Sequence, residues 1–149
     1  MRLRFTRTSD YGLRAALQVA QAPEGELVTR GAIAEATDAP ASVLAQALAA
    51  LVRAGVLVGQ AGPHGGYRLA RPAEAVSIYD VAVAIDGHPE AQRCVLHETE
   101  CSGEAPCPFH PFLVAAQESF FDTLRTTSLA DVTAAGGPQS LTALTAGAR

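Results

Sequence analysis

The tightest constraint on this chain is a punctuated stretch near its middle. An apolar helical pattern halts at Gly55 and the β-capable run Val56-Leu57-Val58 follows; the tip Gly62-Pro63-His64-Gly65-Gly66 then reverses the chain, and Tyr67-Arg68-Leu69 returns. Two extended segments around a Gly/Pro tip predict a hairpin. A glycine just past a helix is a common stop, because it takes left-handed backbone that other residues resist. A lone hairpin buries too little apolar surface to stand, so the core must come from the helices before it.

Those helices are legible from periodicity. From Ala41 or Ser42 to about Ala54, the residues Val43, Leu44, Ala47, Leu48, Leu51 and Val52 make a wide apolar stripe. A shorter helix, Arg30 to Thr37, precedes it, with Ile33 and Ala34 inward and Thr29 placed to cap its first turn. The turn Asp38-Ala39-Pro40-Ala41 separates the two. A first helix spans Thr8 to Gln21, with Tyr11, Leu13, Ala16, Leu17 and Ala20 at helical spacing and Thr8 or Ser9 as its cap. Two helices joined by a tight turn and followed by a hairpin form a winged helix-turn-helix pattern, in which the third helix enters the major groove and the hairpin tip reaches the DNA backbone or minor groove.

Beyond Arg71-Pro72, Ser77 with Asp80 forms a capping-box signature for a helix carrying Ile78, Val81 and Ile85 and ending at Gly87. Some twenty residues without periodicity follow, a length that usually signals function. Pro108 and Pro111 suit the opening turn of a last long helix reaching Thr126, with Phe109, Leu113, Ala116, Phe120 and Leu124 on one face. One small domain has little use for such a stripe, so the helix is expected to pair with a second copy in a homodimer. The expected fold class is therefore mainly α with a small β-hairpin wing, a winged helix-turn-helix plus a long C-terminal dimerisation helix. Residues 1–72 form the DNA-binding domain, 73–132 the cysteine loop and dimerisation helix, and 133–149 a flexible tail.

Charge divides along the same line. The chain of 149 residues carries a formal net charge of −4, but residues 1–72 hold eight arginines against five acids and the rest three against ten. A net +3 half followed by a −7 half fits one part built to meet a polyanion. With neither a secretory signal nor an apolar run of membrane-spanning length, the expected location is the cytoplasm, with no membrane partner.

All three cysteines fall in the unpatterned segment as Cys94-x6-Cys101-x5-Cys107. Thiolates are soft ligands for iron–sulfur clusters and zinc, and the spacing alone also permits unliganded thiols. A fourth ligand is open to His110, three residues after Cys107, to His97, three after Cys94, or to a carboxylate such as Asp10. No C-x-x-C redox pair and no paired general acid and base is identifiable, which argues against an enzyme.

Candidate DNA contacts fall on three elements. Ser42 and Gln46 on the third helix both donate and accept hydrogen bonds at base edges, while Arg53 lies nearer its end, where phosphate is the expected target. Ala41, Ala45 and Ala49 offer only methyl contacts. Thr29 stands at the start of the second helix, and His64, Gly65 and Arg68 belong to the wing, whose glycines let backbone N–H groups approach phosphate.

Taken together, Arg7-Thr8-Ser9-Asp10-Tyr11-Gly12-Leu13-Arg14-Ala15, the wing from Gly62 to Pro72, Ile78-Tyr79-Asp80-Val81 with Asp86-Gly87, the three-cysteine segment and Thr127-Ser128-Leu129-Ala130-Asp131-Val132 resemble the IscR/NsrR kind of iron–sulfur transcriptional regulator over residues 1 to 132. The resemblance implies a homodimer on double-stranded operator DNA, with a [2Fe-2S] or [4Fe-4S] cluster on Cys94, Cys101 and Cys107 that alters operator affinity. It implies a repressor responding to redox state, nitric oxide or iron–sulfur status. His110 matches the histidine ligand of the IscR branch, and Asp10 matches the carboxylate that the NsrR branch supplies from the other subunit. The first cysteine interval is one residue longer than the pattern of either branch, and the fourth ligand stays open between them. The alternative is a winged-helix DNA-binding protein with a structural Cys3His zinc site.

Overall fold

The computed structural model describes residues 5–88 and 107–137. In chain order it contains α1 (Arg7–Ala20), α2 (Arg30–Thr37), α3 (Ala41–Arg53), β1 (Leu57–Gln60), β2 (Gly66–Leu69), α4 (Ile78–Asp86), α5 (His110–Thr126) and α6 (Leu129–Ala134), with a short 3₁₀ turn at Ala73–Ala75. The mainly helical fold with one hairpin agrees with the sequence expectation.

The core is built around α1, whose Ala15, Ala16 and Leu17 are fully buried. Against them lie Ile33 of α2, Leu44, Leu48 and Leu51 of α3, Val56 and Leu57 at the wing root, Val76, Ile78 and Val81 around α4, and Leu129 of α6. Small residues on α1 let its neighbours approach closely. At Gly12 a Cβ would collide with Ile85 Cδ1 of α4. The core thus joins the winged-helix segment to residues well beyond position 72.

Local chemistry explains the boundaries. Thr6, not Thr8 or Ser9, caps α1, its Oγ1 accepting from the Ser9 amide at 3.1 Å. Thr8 and Ser9 are the second and third residues of the helix itself, so neither is the flanking cap residue, whereas Thr6 has the extended backbone a cap requires. Thr29 caps α2 as expected, accepting from Ala32 N at 3.2 Å. The turn into α3 begins at Asp38, in left-handed backbone at φ 50°, a conformation Asp tolerates better than most residues. Past α3, Gly55 takes φ 69° and releases the chain into β1.

The wing is an antiparallel pair in register from Leu57↔Leu69 to Gln60↔Gly66. It is fastened at its base: Val28 and Tyr67 exchange two backbone hydrogen bonds of 2.8 Å, tying β2 to the segment that leads into α2. Gly66 makes this possible, because a Cβ there would lie 2.5 Å from the Val28 carbonyl oxygen.

The expected flexible tail at 133–149 begins two residues too early, since Thr133 and Ala134 end a helix. Residues 129–134 form α6, opened by a capping box in which Ser128 Oγ accepts from Asp131 N at 3.1 Å and Asp131 Oδ2 accepts from Ser128 N at 2.8 Å. Leu129 anchors it in the core, and Leu129 N donates to Val76 O while Ile78 N donates to Thr127 O, both at 2.9 Å. Residues 138–149, the remainder of that tail, lie outside the described residues.

Candidate nucleic-acid interface and cysteine site

The outward face of α3 is set by what its inward face buries. With Leu44, Ala47, Leu48 and Leu51 in the core, Ser42, Gln46, Ala49 and Arg53 are exposed and Ala45 is partly so. These five residues recur at spacings of three or four and form one stripe along the helix. Ahead of Arg53 this stripe carries no charge at all. The helix N-terminus follows Pro40 with no side-chain cap. There, Arg30 of α2 donates from Nη2 to the Ala41 carbonyl at 3.3 Å, putting an exposed guanidinium beside the start of α3.

Arg30 was missed in the sequence reading. The signal was its place: a cation in the first turn of a helix opposes the macrodipole, so its presence there calls for another use. Thr29, expected as a DNA contact, has its hydroxyl occupied as the α2 cap. At the wing, His64 and Arg68 are exposed, and Gly65 N donates to Gly62 O at 3.0 Å to close the tip. A Cβ at Gly65 would collide with Gln60 O. The structure therefore carries Ser42, Gln46, Arg53, His64 and Arg68 as exposed side chains on the recognition helix and wing.

Of the cysteine set, Cys107 is described, and Cys94, Cys101 and His97 lie outside the described residues. Cys107 is a partly buried free thiol at the foot of α5. Its carbonyl accepts from His110 N at 2.8 Å, so these two residues share the turn that starts the helix. Among the described residues no group of three or more His, Cys, Asp or Glu converges as a metal site.

Asp10 is otherwise engaged. Arg14, only 6% exposed, donates from Nε to Asp10 Oδ1 at 3.1 Å and from Nη2 to Oδ2 at 2.9 Å, a two-pronged pair within α1. Arg14 also faces the Tyr11 ring at 6.0 Å. The two helices flanking the cysteine segment are fixed to the rest of the fold. Asp86, the last residue of α4, accepts from the Thr6 hydroxyl at the start of α1 at 2.7 Å. Tyr79 of α4 packs edge-on against Phe121 of α5 at 6.0 Å and beneath Arg125 at 4.6 Å. A hydrogen bond to Tyr79 first, then the Asp122 carboxylate, holds Arg125 above its ordinary value.

α5 itself has no buried residue. Phe109 and Phe112 are 62% and 74% exposed, whereas Leu124 packs against the core and Leu113 and Phe120 are partly buried. The expected single stripe is thus divided between a core-facing end and an uncovered one.

Residues 5–135 match the family model Rrf2, described as iron-dependent transcriptional regulators. The chain belongs to this family. Rrf2 regulators bind DNA, and the chain is a transcriptional regulator rather than an enzyme. Solved structures agree in fold. The global cysteine regulator CymR of B. subtilis superposes with a TM-score of 0.76 at 20% identity, over 89% of this chain and 98% of that one. IscR of T. potens gives 0.70 at 22% identity over 87% and 85%, and CymR of Staphylococcus aureus gives 0.67 at 24% over 85% and 95%. Among the described residues, no helix of this Rrf2 chain is long and apolar enough to cross a membrane.

Proposed function

We propose that the chain is a homodimeric repressor whose operator affinity is set by an iron–sulfur cluster held by Cys94, Cys101 and Cys107. The observation that carries this reading is the placement of three thiols within fourteen residues on the segment joining α4 to α5, the last of them in the opening turn of α5 with His110. Soft thiolates in that number suit an iron–sulfur cluster, and the family's description as iron-dependent supports it. Cys107, the cysteine among the described residues, suits a ligand's role, being partly shielded yet still reachable and a free thiol.

His110 is the favoured fourth ligand. Asp10 has both carboxylate oxygens on Arg14, and recruiting it would leave a buried guanidinium without its charge partner. A bound cluster supplies redox and nitric-oxide-sensitive chemistry, and its loss registers iron–sulfur status. The chain's own residues turn a change at the cysteines into a change in DNA binding. α4 is tied to α1 through Asp86 and Thr6, and to α5 through Tyr79, Phe121 and Arg125, so altering the segment between them shifts elements that carry the recognition helices. Ser42 and Gln46 address bases, while Arg53, His64 and Arg68 address phosphate and groove; Gly65, its amide spent on Gly62 O, keeps the wing tip tight, and Thr29 fixes the start of α2.

The test is DNA binding by anaerobically prepared protein, with the cysteines intact or replaced. Cys94→Ala, Cys101→Ala and Cys107→Ala are each expected to abolish the cluster chromophore and change operator affinity while leaving a folded dimer. Full retention of the chromophore in any one of them removes that residue from the ligand set. A colourless wild-type chain with one zinc ion would favour the structural Cys3His site. A colourless, metal-free chain whose DNA binding follows thiol oxidation would favour a thiol-based regulator.

A further inference from the structure

The exposed stripe of α3 determines which bases it can read. Ser42, Ala45, Gln46, Ala49 and Arg53 face outward, and Arg53 is the last residue of the helix. The commonest specific contact to guanine is a bidentate arginine or lysine, and cytosine is read by a carboxylate accepting from its amino group. Neither side-chain type occurs on this stripe before Arg53, and Arg30, beside its start, belongs to α2 and is turned onto the Ala41 carbonyl. At about 1.5 Å per residue Arg53 lies some 16 Å along the axis from Ser42, toward the end where recognition helices leave the base edges.

What remains is specific in the opposite direction. Gln46 matches adenine, whose N6 and N7 offer one donor and one acceptor to a carboxamide. Ala45 and Ala49 stand one turn apart, roughly 6 Å between Cβ atoms, and an alanine methyl is a partner for the thymine 5-methyl group. Because alanine is short, it also lets the helix sit close to the groove floor, within reach of the Gln46 carboxamide. The wing offers a second, separate observation. Beside the exposed Pro63, the ionisable side chain at its tip is the exposed His64, and narrow A·T-rich minor grooves attract arginine, lysine and histidine.

We infer that this chain reads A·T pairs in the major groove, with Gln46 on adenine and Ala45 and Ala49 on thymine methyls as the specificity-determining residues. This rests on the DNA-binding reading above and deepens it.

The test is selection from a pool of random-sequence duplexes by the full-length, anaerobically prepared protein, followed by replacement of thymine with deoxyuracil in the selected half-site. That replacement removes only the methyl group and leaves base pairing intact. Two or more A·T pairs are expected within each half-site, with about fourfold weaker binding for each contacted thymine replaced. Gln46→Glu is expected to move the preference at one position from adenine to cytosine. Selection of G·C pairs across the half-site, or indifference to deoxyuracil at every thymine, would overturn the inference while leaving DNA binding standing. Failure to enrich any sequence would overturn both.

Discussion

At the scale of single residues, the Asp10–Arg14 pair is the clearest case of a structural duty competing with a functional one. Arg14 is deeply enclosed by the helices around α1, and among the described residues Asp10 is its ionic partner. Asp10→Ala is expected to lower stability by about 1–2 kcal/mol, between the values for exposed and buried pairs because Asp10 keeps part of its surface in water. It should leave the visible spectrum unchanged, whereas His110→Ala should shift it; denaturant unfolding and absorption spectra of both variants check this. Two glycines make a second comparison. Gly66→Ala places a Cβ against the Val28 backbone and should cost about 1–3 kcal/mol by breaking the wing's anchor. Gly12→Ala meets only the end of the Ile85 side chain, which can turn away, and should cost less.

At the scale of elements, the two serine capping boxes lie back to back, Ser77 bridged to Ser128, and they hold α6 to the start of α4. Hydrogen bonds from the Ser128 side chain and backbone hold Asp131 below its ordinary value. A depressed folded-state value means that the carboxylate's stabilising contribution is present above the unfolded-state value and is lost as pH falls through the folded one. Acid should therefore loosen α6 first, and Ser128→Ala should flatten that dependence, as read by amide exchange at Leu129 and Val132 across an acid series. How legible each element was in the sequence follows from the forces that make it. α2, α3, the wing and α4 depend on apolar periodicity, glycine stops and the Ser77 box, all local signals, and were readable. The α1 cap is expected at Thr8 or Ser9, two or three residues late, because Thr6, Thr8 and Ser9 all qualify by type and the backbone, extended at Thr6 and helical at the other two, decides between them. α6 is not expected from the sequence, and its last two residues fall in the expected tail, because so short a helix shows little periodicity, although Ser128-x-x-Asp131 carries the signal. The first-turn position of Arg30 is a local signal, but its contact to Ala41 O and the Thr6–Asp86 bond depend on tertiary proximity, which no pattern within one helix reveals.

At the scale of the whole molecule, a winged-helix body gathers around α1 while α5 projects an end with no cover of its own. Phe109 and Phe112 are the largest apolar side chains on that end. Replacing both with glutamate is expected to give a monomer by sedimentation, with the helical spectrum of the body retained and operator binding weakened at least tenfold by loss of two-fold docking. Operator binding should fall steeply with added salt, as expected when arginines displace counterions from phosphate. The regulatory account depends on what the cysteines hold, because the α4 and α5 links described above have a signal to transmit only if that segment binds something that changes. Visible and Mössbauer spectra of the anaerobically purified wild-type chain test this most directly. The account predicts a brown protein whose iron signals belong to an iron–sulfur cluster and disappear when Cys107 is replaced. A colourless protein without iron would contradict it.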